Sequence, residues 1–285
     1  LALLAGKHVY SEKPLAASFE LGKQLVALAE EKGLYLGGAP DTFLGAGIQT
    51  CRKLIDDGYI GVPVGAAAFM ICRGHEGWHP DPEFYYKRGG GPMLDMGPYY
   101  VTALVNLLGG VSGLTGVTKK AFDQRLITSQ PKSGTVIDVD VPTYVTGIMN
   151  FDCGAVGTIF TPFDVHYPSQ ARLEVYGSEG TLYCPDPNTF GGPVKLFRPE
   201  SKEVMELPLT FDYAENSRGL GLADMAKALR TGREYRASYK QTLHVLEVMT
   251  GFERSSQAGK YLTLETKYTR ARPMVKHKLK GILDD

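Results

Sequence analysis

Gly6-Lys7-His8-Val9-Tyr10-Ser11-Glu12-Lys13-Pro14-Leu15-Ala16 is the stretch on which the fold turns. Residues 8–12 are rich in β-formers and follow a glycine, the pattern of a short buried strand. Ser18 then supplies the N-cap of a helix in which Leu21, Leu25 and Leu28 recur at the 3.6-residue period, and Gly33 ends it. Leu34-Tyr35-Leu36-Gly37-Gly38 reads as a second strand. Strand, helix and strand at this spacing make a βαβ unit with a parallel pair. Ligands of such sheets sit beyond the carboxyl ends of the strands, which is where Glu12, Lys13 and Pro14 fall. Lys13 carries three N–H donors on a long stem and can reach into a cleft; the plain alternative is a solvated loop lysine.

Outward from this unit, a helix is predicted over 48–57, a strand over 64–72 and a polar, aromatic loop over 73–88. Gly89-Gly90-Gly91-Pro92 leads into one apolar helix over 94–108. Strand-like runs follow at 114–122, 141–151, 156–163, 172–176, 181–183, 194–197 and 204–209. Several are joined by tight turns, such as Asp152-Cys153-Gly154 and Gly177-Ser178-Glu179-Gly180, so those neighbours must be antiparallel. Two helices close the chain. The second opens on Ser238-x-x-Gln241, a capping-box pattern, and carries Leu243, Leu246 and Met249. The expected fold is a parallel α/β fragment followed by an α+β domain on a large, mainly antiparallel sheet with helices on one face.

Composition narrows the function classes. Lys plus Arg number 31, as do Asp plus Glu, so the net charge is zero over 285 residues. Nucleic acids and anionic membranes call for a basic excess that is missing. Apolar residues at 43% and charged residues at 22% describe an ordinary globular chain rather than a disordered one. No apolar run approaches the roughly 18 residues of a membrane span. Cys51, Cys72, Cys153 and Cys184 are scattered without a CxxC pair, which fits a reduced, cytoplasmic protein.

A second segment, Gly90-Gly91-Pro92-Met93-Leu94-Asp95-Met96-Gly97-Pro98-Tyr99, places Asp95 and Tyr99 one helical turn apart, on one face. A carboxylate there can orient a hydroxyl, and a tyrosine can act as acid or base; an N-cap Asp above a core Tyr is the alternative. Two motifs mislead. His75-Glu76-Gly77-Trp78-His79 matches HExxH, but Gly74, Gly77 and Pro80 oppose the helix on which zinc binding depends, and no metal is expected. Gly45-x-Gly47 lacks the third small residue of a dinucleotide loop, since Thr50 stands there.

Together the two segments resemble the Gfo/Idh/MocA family of nicotinamide-dependent oxidoreductases, and Leu173-Glu174-Val175-Tyr176-Gly177-Ser178-Glu179-Gly180-Thr181-Leu182 is similar to that family's sheet-domain turn. The resemblance runs from residue 1 to about 273. It implies the C-terminal part of a Rossmann domain over 1–44 and a substrate-binding and oligomerisation domain over 45–285. It also implies NAD or NADP as cofactor near Glu12, Lys13 and Pro14, and a homo-oligomer formed through the sheet. Lys13 falls on the family's EKP lysine and Asp95 on its helix aspartate. Tyr99 stands where a histidine is usual, as in glucose–fructose oxidoreductases.

The expected activity is oxidation of a secondary hydroxyl on a sugar, sugar acid or cyclitol. Tyr99 accepts the hydroxyl proton, Asp95 positions it and Lys13 stabilises the alkoxide. Arg73, Trp78, His79, Asp164 and His166 are candidates for the substrate wall. A dinucleotide- or sugar-sensing regulator that performs no turnover is the alternative. The chain opens on Leu1-Ala2-Leu3-Leu4-Ala5-Gly6, which reads as the tail of a helix. The resemblance puts a Gly-rich phosphate loop on the order of 70 residues upstream. The sequence given is accordingly expected to bind NAD(P) poorly by itself.

Overall fold

Val9–Ser11 (β1), Phe19–Glu31 (α1) and Leu36–Gly38 (β2) build the expected unit, with β1 and β2 paired in parallel from Val9↔Leu36 to Ser11↔Gly38. The computed structural model describes residues 1–166 and 172–276. Ser18 caps α1 as its position demands, the hydroxyl oxygen accepting from the Leu21 N–H at 3.3 Å. The buried stripe of α1 differs from the leucine stripe. Phe19, Gly22, Val26 and Ala29 face inward, while Leu21 is exposed and Leu25 and Leu28 lie at the margin. Gly22 decides this rotation, because a Cβ there would press on Leu246 and Leu243 of the helix that α1 packs against.

After α2 (Ala46–Asp56) the chain enters a nine-stranded sheet. Its strands in chain order are β3 (Pro63–Phe69), β4 (Val111–Lys119), β7 (Tyr144–Phe151), β8 (Val156–Pro162), β9 (Leu173–Gly177), β10 (Thr181–Cys184), β11 (Val194–Phe197), β12 (Val204–Leu207) and β13 (Leu262–Thr263). In space the order is β12-β11-β10-β9-β3-β8-β7-β4-β13, antiparallel at every step except β3 beside β8. Between β4 and β7 lies a separate small hairpin, β5 (Gln124–Leu126) with β6 (Val136–Asp138). It escapes sequence reading because its inward residues are Arg125 and Ile137, so no apolar alternation marks it.

The helices α2, α4 (Gly97–Leu108) and α6 (Tyr239–Ala258) lie on one face of this sheet, and α5 (Leu220–Thr231) and α6 also pack against β2. Gly116 and Gly147 are flattened under the Phe252 ring of α6. The next residue on each strand, Val117 and Ile148, therefore points to the opposite face, where both are exposed.

Two local expectations are corrected. The helix predicted over 94–108 is broken at Met96 into α3 (Pro92–Asp95) and α4. Pro98 has no N–H to give the Leu94 carbonyl and its ring crowds that carbonyl, so a helix cannot run through unchanged. The Ser238–Gln241 capping box does not form; Ser238 makes no side-chain cap and the Gln241 amide donates to the Tyr268 hydroxyl instead. Gly45 is the N-cap of α2, so Gly45-x-Gly47 opens a helix, and both glycines allow close packing, since a Cβ on either would overlap Phe190 or the Gly191 carbonyl.

Candidate active site

Glu12-Lys13-Pro14 leaves the carboxyl end of β1 and meets α3 there. The Lys13 ammonium donates to the Asp95 backbone carbonyl at 2.6 Å and to its carboxylate Oδ1 at 2.8 Å. The helix break makes the first bond available. In an unbroken helix the Asp95 carbonyl would take the Tyr99 N–H, but Tyr99 donates to Met96 instead, which leaves the Asp95 oxygen for Lys13. Two of the three ammonium protons are thus committed to Asp95, and the third is available to a hydroxyl in the cleft. Glu12 accepts from the Lys13 backbone N–H at 3.1 Å and steadies the turn.

The other carboxylate oxygen of Asp95 lies 3.3 Å from Nε2 of His75, a residue that sequence reading treated only as part of a false zinc motif. The HExxH segment is not helical. Its two histidines diverge: His75 turns to Asp95, while Nδ1 of His79 accepts from the Asp81 N–H at 3.0 Å. His75 is 8% exposed and boxed by Tyr85, Phe163 and Trp78, with ring centroids 3.9, 4.7 and 5.3 Å away; its Nδ1 is buried without a hydrogen-bond partner. Burial alone would push the Asp95 carboxyl up. The His75 hydrogen bond and the Lys13 charge outweigh it and hold the group below its ordinary value.

Tyr99 is buried at the start of α4, with the Lys13 ammonium 5.4 Å and the Arg218 guanidinium 5.7 Å from its ring centroid. The break at Met96 removes the simple one-turn relation between Asp95 and Tyr99. Asp95 grips Lys13 and His75, and Tyr99 joins the cluster through its ring.

The wall candidates separate. Trp78, 64% exposed, packs on His75 and His79 and lines the open side. Arg73 donates to Nε2 of His166 at 2.8 Å and pairs with Glu76 at 3.4 Å, so these two share one surface. Asp164 is turned away from that surface: its carboxylate is buried and taken by Arg125 and by the Thr143 hydroxyl. Arg125 also holds Glu76 at 2.7 Å and the Phe163 carbonyl at 3.0 Å. Tyr86 donates to Glu76, and Glu76 together with the Asp95 link fixes the loop carrying His75. No sequence signal pointed to Arg125 or Arg218, because their roles depend on partners far along the chain.

Comparison with known proteins fits this architecture. The family model described as the GFO/IDH/MocA C-terminal domain matches residues 48–183, a stretch that takes in the apolar helix pair and the first half of the large sheet. Among its relatives is the dTDP-3,4-didehydro-2,6-dideoxy-alpha-D-glucose 3-reductase of Streptomyces antibioticus, 28% identical over 228 residues, covering 78% of this chain and 63% of the relative. Another is the scyllo-inositol 2-dehydrogenase (NAD(+)) of Bacillus subtilis, 26% identical over 180 residues, covering 62% of this chain and 48% of the relative. The chain thus spans less than two thirds of the length of these relatives. In fold it is similar to levoglucosan dehydrogenase solved with NADH and L-sorbose, with a TM-score of 0.76 at 19% identity, covering 93% of this chain and 75% of that one. Among the described residues no helix is long and apolar enough to cross a membrane.

Proposed function

We propose that this protein is an NAD(P)-dependent oxidoreductase that interconverts a secondary alcohol and a ketone on a sugar, sugar acid or cyclitol. The observation that carries the reading is Lys13, held on Asp95 by two bonds at the carboxyl end of a parallel pair, with one donor left over. That donor set, on the Glu12-Lys13-Pro14 turn, fits the nicotinamide-ribose end of such a cofactor. Residues 1–44 are read as part of the dinucleotide-binding unit and 45–285 as the substrate and oligomerisation domain.

When bound, the nicotinamide supplies the acceptor for the hydride that leaves the carbinol carbon. Lys13 orients the substrate oxygen and balances the negative charge that grows on it as the C–H and O–H bonds break. Tyr99 receives the hydroxyl proton on its phenolic oxygen, which must first have given its own proton to solvent. Asp95 fixes the ammonium, and His75 fixes Asp95, so the donor is in place before the charge develops. Trp78, Arg73 and His166 supply the open wall. Val117 and Ile148 on the uncovered sheet face suit contact with a second copy, which sedimentation would detect as a dimer or higher oligomer.

The test follows nicotinamide absorbance with NAD+ and with NADP+ across a panel of sugars, sugar acids and cyclitols. Turnover is expected with at least one, and Lys13→Met is expected to lower kcat roughly 100- to 1,000-fold. A Lys13→Met variant within about threefold of wild type would sink the mechanism. Ligand binding with no absorbance change on any substrate would return the protein to the regulatory reading.

A further inference from the structure

Arg218 stands in the turn before α5, exposed to solvent and within 5.7 Å of the Tyr99 ring centroid. Its hydrogen-bond partners among the described residues are both on Asn188: the side-chain oxygen at 2.9 Å and the carbonyl at 3.5 Å. Both are neutral. The cations that hold the His75 loop and the Lys13 turn are matched by carboxylates: Lys13 by Asp95, Arg73 by Glu76, and Arg125 by Glu76 and Asp164.

The guanidinium is held in place from both sides. Asp41, just past β2, accepts the Gly219 and Gly221 N–H groups on one carboxylate oxygen, at 2.8 and 3.0 Å, which pins the turn carrying Arg218. The Asn188 N–H donates to the Asp186 side chain at 3.0 Å, which pins its partner. Since Asp41 already occupies those N–H groups at the start of α5, an anion arriving in the cleft meets the guanidinium rather than the helix end. Lys13 and Arg218 both approach one tyrosine ring, at 5.4 and 5.7 Å from its centroid, so one small ligand beside that ring can hydrogen-bond to both.

We propose that Arg218 is a specificity-determining residue that pairs with a negatively charged group, a carboxylate or a phosphate, on the sugar whose hydroxyl lies at Lys13. This deepens the oxidoreductase reading and rests on it. A planar guanidinium with free N–H groups matches either oxyanion with two parallel hydrogen bonds, which an ammonium cannot reproduce. With the charge on Lys13 neutralised by Asp95, a neutral sugar would leave the Arg218 charge unmatched, and an acid would match it.

Isothermal titration calorimetry on the whole chain tests this with matched ligands: D-galacturonate against D-galactose, and D-glucose 6-phosphate against D-glucose. The wild type is expected to prefer at least one anionic member by about tenfold or more, the worth of a charge-assisted hydrogen bond. The preferred pair identifies the group as carboxylate or phosphate. Arg218→Gln should cut the anion-to-neutral affinity ratio about tenfold or more, and Arg218→Lys should keep part of it. Equal affinity for the members of both pairs, a ratio unchanged by Arg218→Gln, or no binding of any anionic ligand overturns the proposal. Nicotinamide turnover plays no part in this readout, so its absence on every substrate would strike the oxidoreductase reading and leave the calorimetric result standing.

Discussion

Two ionic clusters organise different parts of the molecule, one shut off from solvent and the other open to it. Under α5, Asp224 accepts from the Arg236 and Arg233 guanidinium groups at 2.5 and 2.8 Å and from the Arg236 backbone N–H at 2.7 Å. Arg236 spends further donors on the Arg272 and Pro273 carbonyls, both at 2.9 Å, and ties the C-terminal strap to the fold. The Asp224 side chain is 0% exposed and that of Arg236 is 1%. At the cleft, the Lys13 and Asp95 side chains keep 19% and 13% exposure, and one ammonium proton is uncommitted. The cluster closed off from solvent fastens the fold, although Nε of Arg233 is buried there without a partner. The part-exposed one at a strand end has capacity left for a ligand.

Two histidines repeat the contrast. His244 uses both ring nitrogens, Nε2 accepting from the Val111 N–H at 2.9 Å and Nδ1 facing the Thr266 hydroxyl at 2.7 Å. Nε2 must be unprotonated to accept, so Nδ1 carries the proton. His75 has one nitrogen on Asp95 and the other buried without a partner.

Breaking the buried cluster should have the largest effect. Asp224→Ala strands two buried guanidinium groups and is expected to cost about 3–5 kcal/mol in urea unfolding; a loss below about 1 kcal/mol would show that the cluster does not hold the fold. Next is His75→Phe, which keeps the aromatic box and discards the orphaned nitrogen, so stability should change little. Turnover should fall about tenfold, because Asp95 loses the partner that steadies it. Removing that hydrogen bond also raises the Asp95 carboxyl, so the acid limb of the kcat profile moves to higher pH. An unmoved limb would mean that His75 only fills space.

At neutral pH the smallest effect concerns His244, whose burial pushes it down to about 4. Its folded form stays neutral while the unfolded chain takes up a proton below the ordinary value of 6.5, so stability declines as pH falls from 6.5 towards 4. The slope from this group approaches about 1.4 kcal/mol per pH unit and vanishes above 6.5. His244→Gln should flatten that part of the profile. An unchanged slope would move the effect to other groups.

The βαβ unit, the Ser18 cap and the turns at Asp152-Cys153-Gly154 and Gly177–Gly180 were legible because each depends on residues a few positions apart. Lys13 and Asp95 were each legible as candidates, from a strand end and from the start of an apolar helix, but not as a pair, since 82 residues separate them. The break at Met96 was written in Pro98 and hidden by the apolar run around it. Arg125 was illegible because an inward arginine looks like a surface one until Glu76 and Asp164 are seen to enclose it.

By itself, then, the sequence determined the element types, the parallel start, the antiparallel sheet and the strand end that carries Lys13. These follow from periodicity, caps and turn chemistry, which act over short stretches of chain. Only the tertiary structure decided that Asp95 binds Lys13 through its carbonyl as well as its carboxylate, that His75 stands behind it, and that Arg218 faces Tyr99 with neutral partners. Those pairings require α3, the loop over 73–88 and the turn before α5 to converge on the end of β1. That convergence comes from packing against a common sheet and helix layer, which no local pattern encodes.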